Sequence, residues 1–301
     1  VSGDPYRIEG PALISFSGGR TSAYMLKQML DAAGGAFAPD VHVVFANTGK
    51  EREETLRFVH ECQVRWGVPI HWLEWRSRLK RTPVAERFEE VTFETAARNG
   101  EPFEALIASK KSTPNAVHRW CTENLKMQVL ADFMEARGYP AWTNVVGLRA
   151  DEMRRVAKKD AQNDDENATW LSVMPLARAG VTKRDVLRFW LGSSMIVGRD
   201  QPQGFDLGLQ GWQGNCDLCF LKGRGILEHS IRTEPGRADW WSRMERTIGK
   251  GRFVTEWSVA DLARDVARSP VFAPFDPETE HDAECGVGGV DTSIRCGRKA
   301  A

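Results

Sequence analysis

Residues 13–26 read LISFSGGRTSAYML. An apolar run enters a turn at Ser17-Gly18-Gly19 and leaves as a stretch with helical spacing. A strand that passes straight into a helix over two glycines brings bare backbone N–H groups and the positive end of a helix dipole to one point. An anion is the natural occupant of such a point. Ser17, Thr21 and Ser22 add hydroxyls, and Arg20 adds a charge. The G-K-[ST] ending of a P-loop and the G-x-G-x-x-G dinucleotide spacing are both absent. The residues alone read as a phosphate cradle or as an ordinary strand-to-helix turn.

Working outward, strands are expected at 11–17, 41–49, 69–76, 141–149 and 169–177, with helices at 21–31, 51–67, 83–99 and about 122–137. This alternation predicts an α/β fold, a parallel twisted sheet with helices on both faces. The charged stretch DEMRRVAKKDAQNDDEN (151–167) reads as a solvated loop or lid. Beyond about residue 178 the character changes. A helix is expected within 182–192, and two more between 220 and 249, broken at Pro235-Gly236. The remainder, rich in Pro and Gly from 269, shows little periodicity. The chain divides on this reading into an α/β unit, 1–178, and a helical and irregular region, 179–301.

Lysine plus arginine (41) balances aspartate plus glutamate (41). No global field therefore draws the chain to nucleic acid or to an anionic membrane. No apolar run approaches the ~20 residues of a membrane span, and VSGDPYRIEG has no signal-peptide core. A soluble, cytoplasmic protein is expected, with no membrane partner.

The cysteines are Cys62, Cys121, Cys216, Cys219, Cys285 and Cys296. Cys62, among apolar helical neighbours, reads as core. Cys216 and Cys219, in GNCDLCF, can point two thiolates at one centre, as zinc, iron–sulfur and redox sites all require. Cys121, beside Arg119 at an expected helix start, sits where a thiolate is stabilised. Trp240 and Trp241 read as packing residues.

Several stretches together resemble the phosphoadenylyl-sulfate (PAPS) reductase family of the PP-loop superfamily. SFSGGRTS resembles its S-G-G-x-x-S loop, with Arg20-Thr21 where Lys-Asp is common in ATP-hydrolysing members. FANTGKEREETLRFV resembles the segment after its second strand, WCTENLK a cysteine-bearing helix start, VVGLRADEMRR its G-[IV]-R-x-x-E stretch, and GNCDLCFLKG a C-x-x-C of related proteins. The likeness runs from about residue 11 to 230. It implies an adenine nucleotide substrate (ATP, adenylyl sulfate or PAPS). Ser15, Ser17, Gly18, Gly19, Arg20, Thr21 and Ser22 would hold phosphate or sulfate. Ala46, Asn47, Thr48 and Gly49 would lie near the adenosine, with Gly147 and Arg149 closing over it. It also implies a 4Fe-4S cluster, or zinc in its place, on Cys121, Cys216, Cys219 and Cys285. Cys296 is the other candidate for the fourth ligand; AECGVGG resembles the family's E-C-G tail, which would instead make Cys285 the nucleophile of a sulfonucleotide reductase served by a thiol reductant protein. The alternatives are ATP-dependent sulfur transfer to a nucleic acid or small acceptor, and a non-catalytic nucleotide or redox sensor.

Overall fold

The structure, a computed structural model, describes residues 3–77, 81–165, 168–249 and 251–269. The strands are β1 (Ala12–Ser15), β2 (Val41–Asn47), β3 (Ile70–Trp75), β4 (Phe88–Val91), β5 (Trp142–Val146) and β6 (Trp170–Val173). They form one sheet in the order β4-β3-β2-β1-β5-β6. All neighbours are parallel except β4, which runs antiparallel to β3 at one edge. The expected α/β architecture is therefore present.

Alternate residues of a strand face opposite sides of a sheet, and here both sides are buried, as parallel sheets require. Ile14, Phe16, Val43, Phe45 and Trp72 face one apolar cluster. Against them pack α1 (Arg20–Ala32), α2 (Glu53–Trp66) and, from the C-terminal region, Trp190 and its neighbours. Leu13, Val44, Leu73 and Trp142 face the other side. That side is covered by α3 (Glu101–Lys110) and by a helical run made of α4 (Trp120–Thr122), a π-helical turn (Glu123–Met127) and α5 (Gln128–Ala136). After these come α6 (Met153–Asn163), the short α7 (Pro175–Arg178) and α8 (Lys183–Leu191), which carries Trp190. Then α9 (Arg224–Thr233), α10 (Arg237–Ile248) and α11 (Val259–Arg268) complete the second side. Cys62, Trp240 and Trp241 are buried, as their patterns indicated.

Three expectations need correction. Residues 83–99 do not form a helix: they make a 3-10 turn (Val84–Glu86) and the edge strand β4. Helix-forming Ala and Glu are outweighed there by pairing with β3, in which Phe88 lies opposite Trp75. The charged stretch after Arg149 is a helix, α6, not a loop. Helices α3 and α11 were not anticipated. Yet Pro102 in the first turn of α3, and a capping box at Ser258 with Asp261, mark their starts. The Pro/Gly-rich tail from 270 onward, with Cys285 and Cys296, lies outside the described residues.

Helix α6 buries a lysine. Lys159 is fully buried, its ammonium has no hydrogen-bond partner, and its pKa is pushed down to about 8. Desolvation is the main cause, with Lys158 and Arg155 adding repulsion. The folded state thus holds fewer protons than the unfolded chain between about pH 8 and 10.5, so stability contributed by this group rises with pH across that window. Lys159→Met is expected to raise the unfolding free energy measured by urea titration at pH 7, by about 3 kcal/mol at most. The gain should shrink steadily as pH climbs from 8 towards 10.5. A pH-independent gain would show that ionisation of the amine is not its source.

Candidate functional site

Chain order places the site. From β1 the sheet grows to β2 on one side and to β5 on the other, which is a topological switch point, where α/β sheets open a crevice at the strands' carboxyl ends. A cleft of about 290 Å³ lies there. Its floor and walls include Ser15, Ser17, Gly19, Thr21 and Ser22 from the glycine turn, and Gly147 and Arg149 from the end of β5.

The turn is built for close approach. Gly18 has φ +74°, and a Cβ there would stand 2.7 Å from Thr55 Cγ2. A Cβ on Gly147 would meet Ser22 Cα at 3.3 Å, so glycine lets β5 end hard against the first turn of α1. No side chain caps α1, and the first amides of a helix have no intrahelical acceptor. The hydroxyls of Ser17 and Ser22 lie 3.0 Å apart, and Ser22 Oγ donates to the carbonyl of Gly19. Ser15, which lines the cleft, donates from Oγ to Asn144 Oδ1 at 2.7 Å.

Six cationic side chains line the cleft, namely Arg20, Lys126, Arg149, Arg155, Lys183 and Lys222, against the single carboxylate of Glu152. They are not equivalent. Arg20 is committed to Asp206 by two bonds, Nε–Oδ1 at 2.7 Å and Nη2–Oδ2 at 2.5 Å. Asp206 is 1% exposed, so this guanidinium ties the 192–223 segment to α1. Arg149 reaches across the mouth, donating to Thr21 Oγ1 at 3.2 Å while its Nε holds Asp151. Arg155 pairs with Glu152.

The C-x-x-C turn forms another wall. Asn215 Nδ2 donates to the carbonyl of Ser17 at 2.8 Å, and the Asn215 carbonyl accepts from Arg52 N at 2.8 Å. Asp217 N donates to the Lys50 carbonyl, and Glu51 and Cys216 form an antiparallel bridge. Cys216 and Cys219 both line the cleft. Cys216 Sγ lies 3.6 Å from Glu51 Oε1 and 3.8 Å from Lys126 Nζ, and that ammonium is 3.6 Å from the same carboxylate oxygen. Glu51 is also fixed by Thr48, whose N and Oγ1 both donate to it. The π-helical turn carries Lys126, and such turns recur at functional sites.

Other sequence candidates fall elsewhere. Ala46, Asn47, Thr48 and Gly49 do not line this cleft. Asn47 is fully buried and donates to Glu74 Oε1 and the Ala97 carbonyl, so its side chain serves the junction of β2 with β3. Cys121 packs on the same apolar cluster as Cys216 and Cys219. Among the described residues no three metal-ligating side chains converge. The described thiols therefore do not by themselves fit a four-thiolate cluster or a zinc site, and Cys285 lies outside the described residues. Lys126, Glu51, Arg155, Lys183, Asn215 and Lys222 were not foreseen. They arrive from five separate segments, and only the C-x-x-C neighbourhood flags two of them.

A strand–glycine turn–helix opening onto a switch-point cleft lined by cations defines an α/β protein whose first turn faces that cleft. Residues 11–197 match the phosphoadenosine phosphosulfate reductase domain, and the chain belongs to that family, within the PP-loop superfamily. An uncharacterized nin-region protein of Escherichia phage lambda is 29% identical over 227 residues, 74% of this chain and 70% of that protein. An uncharacterized protein of Methanocaldococcus jannaschii is 27% identical over 171 residues, 56% of this chain but only 29% of that protein. Among the described residues no helix is long and apolar enough to cross a membrane.

The clash at Gly18 is separable from its backbone conformation. Gly34 has φ +75° with nothing near its Cβ position, so Gly34→Ala should cost about 1–2 kcal/mol from conformation alone. Gly18→Ala should cost roughly a further 1–3 kcal/mol for overpacking. Equal losses in denaturant titrations would show that Thr55 moves aside freely.

Proposed function

We propose that this protein is an enzyme that binds the phosphate end of an adenine nucleotide at the Ser17–Ser22 turn, and that its reaction is reduction of a sulfonucleotide. The observation that carries this reading is the uncapped first turn of α1 opening onto a cleft with six cations and one carboxylate. Bare amides and fixed cations stabilise charge that develops on a leaving phosphate without having to reorganise. Arg149, held by Thr21 and Asp151, is the cation placed to close over that phosphate. In this reaction a thiolate attacks the sulfate sulfur, the sulfur–oxygen bond to the nucleotide breaks, and the adenosine phosphate leaves. Cys285 is the proposed nucleophile, with a thiol reductant completing the turnover.

A second reading is favoured by Lys126, Lys183 and Lys222, which line the same cleft away from the glycine turn and suit a longer polyphosphate. ATP would fill the cleft, an acceptor oxygen would be adenylated, and pyrophosphate would leave before sulfur transfer. Sulfite release from adenylyl sulfate or PAPS with a thiol reductant supports the first reading, and acceptor-dependent pyrophosphate release from ATP the second. Under either, Arg149→Ala should weaken calorimetric nucleotide binding by about tenfold or more, as loss of a charge-assisted bond predicts. Unchanged affinity would remove Arg149 from the site, and absence of any adenine-nucleotide binding would overturn both readings.

The described thiols need a partner from the tail to hold an iron–sulfur cluster. Under the second reading Cys285 is that partner and not a nucleophile, and the anaerobically purified full chain is expected to contain iron that Cys285→Ser loses; under the first, Cys285→Ser abolishes sulfite release. Iron retained in that variant, or zinc in its place, would contradict this ligand set.

A further inference from the structure

A phosphate cradle accounts for one end of a nucleotide, and the base has to be held by other groups. Ala46, Asn47, Thr48 and Gly49, near which the family resemblance would put the adenosine, do not line the cleft. The stretch from Asp206 to Asn215 does. It is tied to the glycine turn at both ends: the Asp206 carboxylate takes the Arg20 guanidinium, and Asn215 Nδ2 donates to the Ser17 carbonyl at 2.8 Å. Between these ties Leu207, Leu209, Gln210, Gly211 and Gln213 line the cleft. The same bonds that shape the phosphate turn therefore position this wall.

The stretch is braced internally as well. Asp206 Oδ2 accepts from the Gly208 amide at 2.9 Å. Gln210 and Gln213 close on each other: the Gln213 amide donates to the Gln210 carbonyl at 3.1 Å, and the Gln210 amide donates to Gln213 Oε1 at 2.7 Å. Both backbone groups of Gln210 are thus engaged while the residue itself is exposed. Among the described residues nothing bonds its carboxamide. The lining beside it is aliphatic, with Leu207 and Leu209 from the same stretch and Val186 and Leu187 from α8. No aromatic side chain lines the cleft among the described residues.

We propose that the Gln210 carboxamide reads the base of the bound nucleotide at its hydrogen-bonding edge, with Leu187, Leu207 and Leu209 against the ring, an inference that rests on the cleft being an adenine-nucleotide site. Aliphatic contact alone discriminates poorly between flat groups of similar size, whereas a polar group built to pair with the ligand discriminates well. A carboxamide sets an acceptor beside a donor in one plane, and adenine sets its N6 amine beside the N7 acceptor, so two bonds form together. Gln210 makes them without breaking any internal bond of its own side chain. Gln213 is less suited, because its Oε1 is already committed to the Gln210 amide. Gln210 also lies beyond residues 11–197, which carry the family match, so that match does not assign it this role.

The test is a double-mutant cycle between protein and ligand, read by titration calorimetry on the full chain. The ligands are AMP, purine riboside 5′-monophosphate, which lacks the 6-amino group, and ribose 5-phosphate, which lacks the base. The native chain should bind AMP about fivefold more tightly than the purine analogue, as loss of one hydrogen bond predicts. Gln210→Ala should bind AMP about tenfold more weakly than native and should no longer distinguish the two nucleotides. Its affinity for ribose 5-phosphate should stay within about twofold of native, and its thermal melting should not change, since the residue is exposed. Native discrimination retained in Gln210→Ala would overturn the proposal, and so would a native chain that binds both nucleotides equally. Either result, with AMP and ribose 5-phosphate still bound, leaves the phosphate reading of the cleft standing. Failure of the native chain to bind AMP would overturn the proposal outright, and binding of ATP or adenylyl sulfate then decides the reading beneath it separately.

Discussion

The site rests on one junction, at which Asn215-Cys216-Asp217 docks onto two other segments, by a side-chain bond to one and by backbone bonds to the other. The side-chain amide of Asn215 holds the Ser17 carbonyl, its main-chain carbonyl takes the Arg52 amide, and the Asp217 amide takes the Lys50 carbonyl. These bonds fix the glycine turn, the segment after β2 and the C-x-x-C wall relative to one another. Lys50 and Arg237 then neutralise the Asp217 carboxylate, at 3.2 and 2.7 Å. Backbone bonds set position more sharply than surface side-chain pairs, because the groups that make them carry little rotamer freedom of their own. The thiols of the C-x-x-C turn are therefore held at the cleft by the same bonds that shape its phosphate end.

The Arg20–Asp206 pair does the complementary work on the other side of the turn. A buried ion pair contributes little net stability against an apolar equivalent, but breaking it is costly because one charge is left behind. Its value here is geometric: it seats Leu207 and Leu209 in the cluster beneath α1 and commits the Arg20 guanidinium to Asp206. Arg149 bonds a hydroxyl of the same turn from across the mouth. The turn is thus held by one cation adjacent to it in the chain and contacted by another 128 positions beyond Thr21.

Much of the frame was legible. Strand, glycine turn and helix at 12–32, and the later parallel strands, follow from apolar runs and turn residues that act locally. Misreadings came where local preference and tertiary pairing disagree. Phe88 and Val91, spaced three apart, look helical, but the exposed edge of β3 offers them a partner and the chain takes it. Helix α6 looked like a loop because its charge hides a helix made of good formers that buries one lysine instead of an apolar stripe. Asn47, expected near the adenosine from the family resemblance, gives its amide to Glu74 and the Ala97 carbonyl, a pairing between segments that no local pattern encodes. The same reason hid Glu51, Lys126 and Asn215, since each matters only through what another segment brings within reach.

The balance of charges illustrates a more general limit. Equal totals of acid and base exclude a strong monopole, and from that the sequence argues against a polyanionic partner. A ligand at a surface responds to charges within about a Debye length, ~8–10 Å at physiological salt, and hardly to the rest. Lys126, Lys183 and Lys222, from three separate segments, line one cleft, while the acids of β4 sit at the far edge of the sheet. Net charge is a sum over the chain, and the sum discards position. Once the fold gathers these lysines at one cleft and sets β4 at the sheet edge, overall neutrality and a locally basic cleft are the same charges counted at two distances.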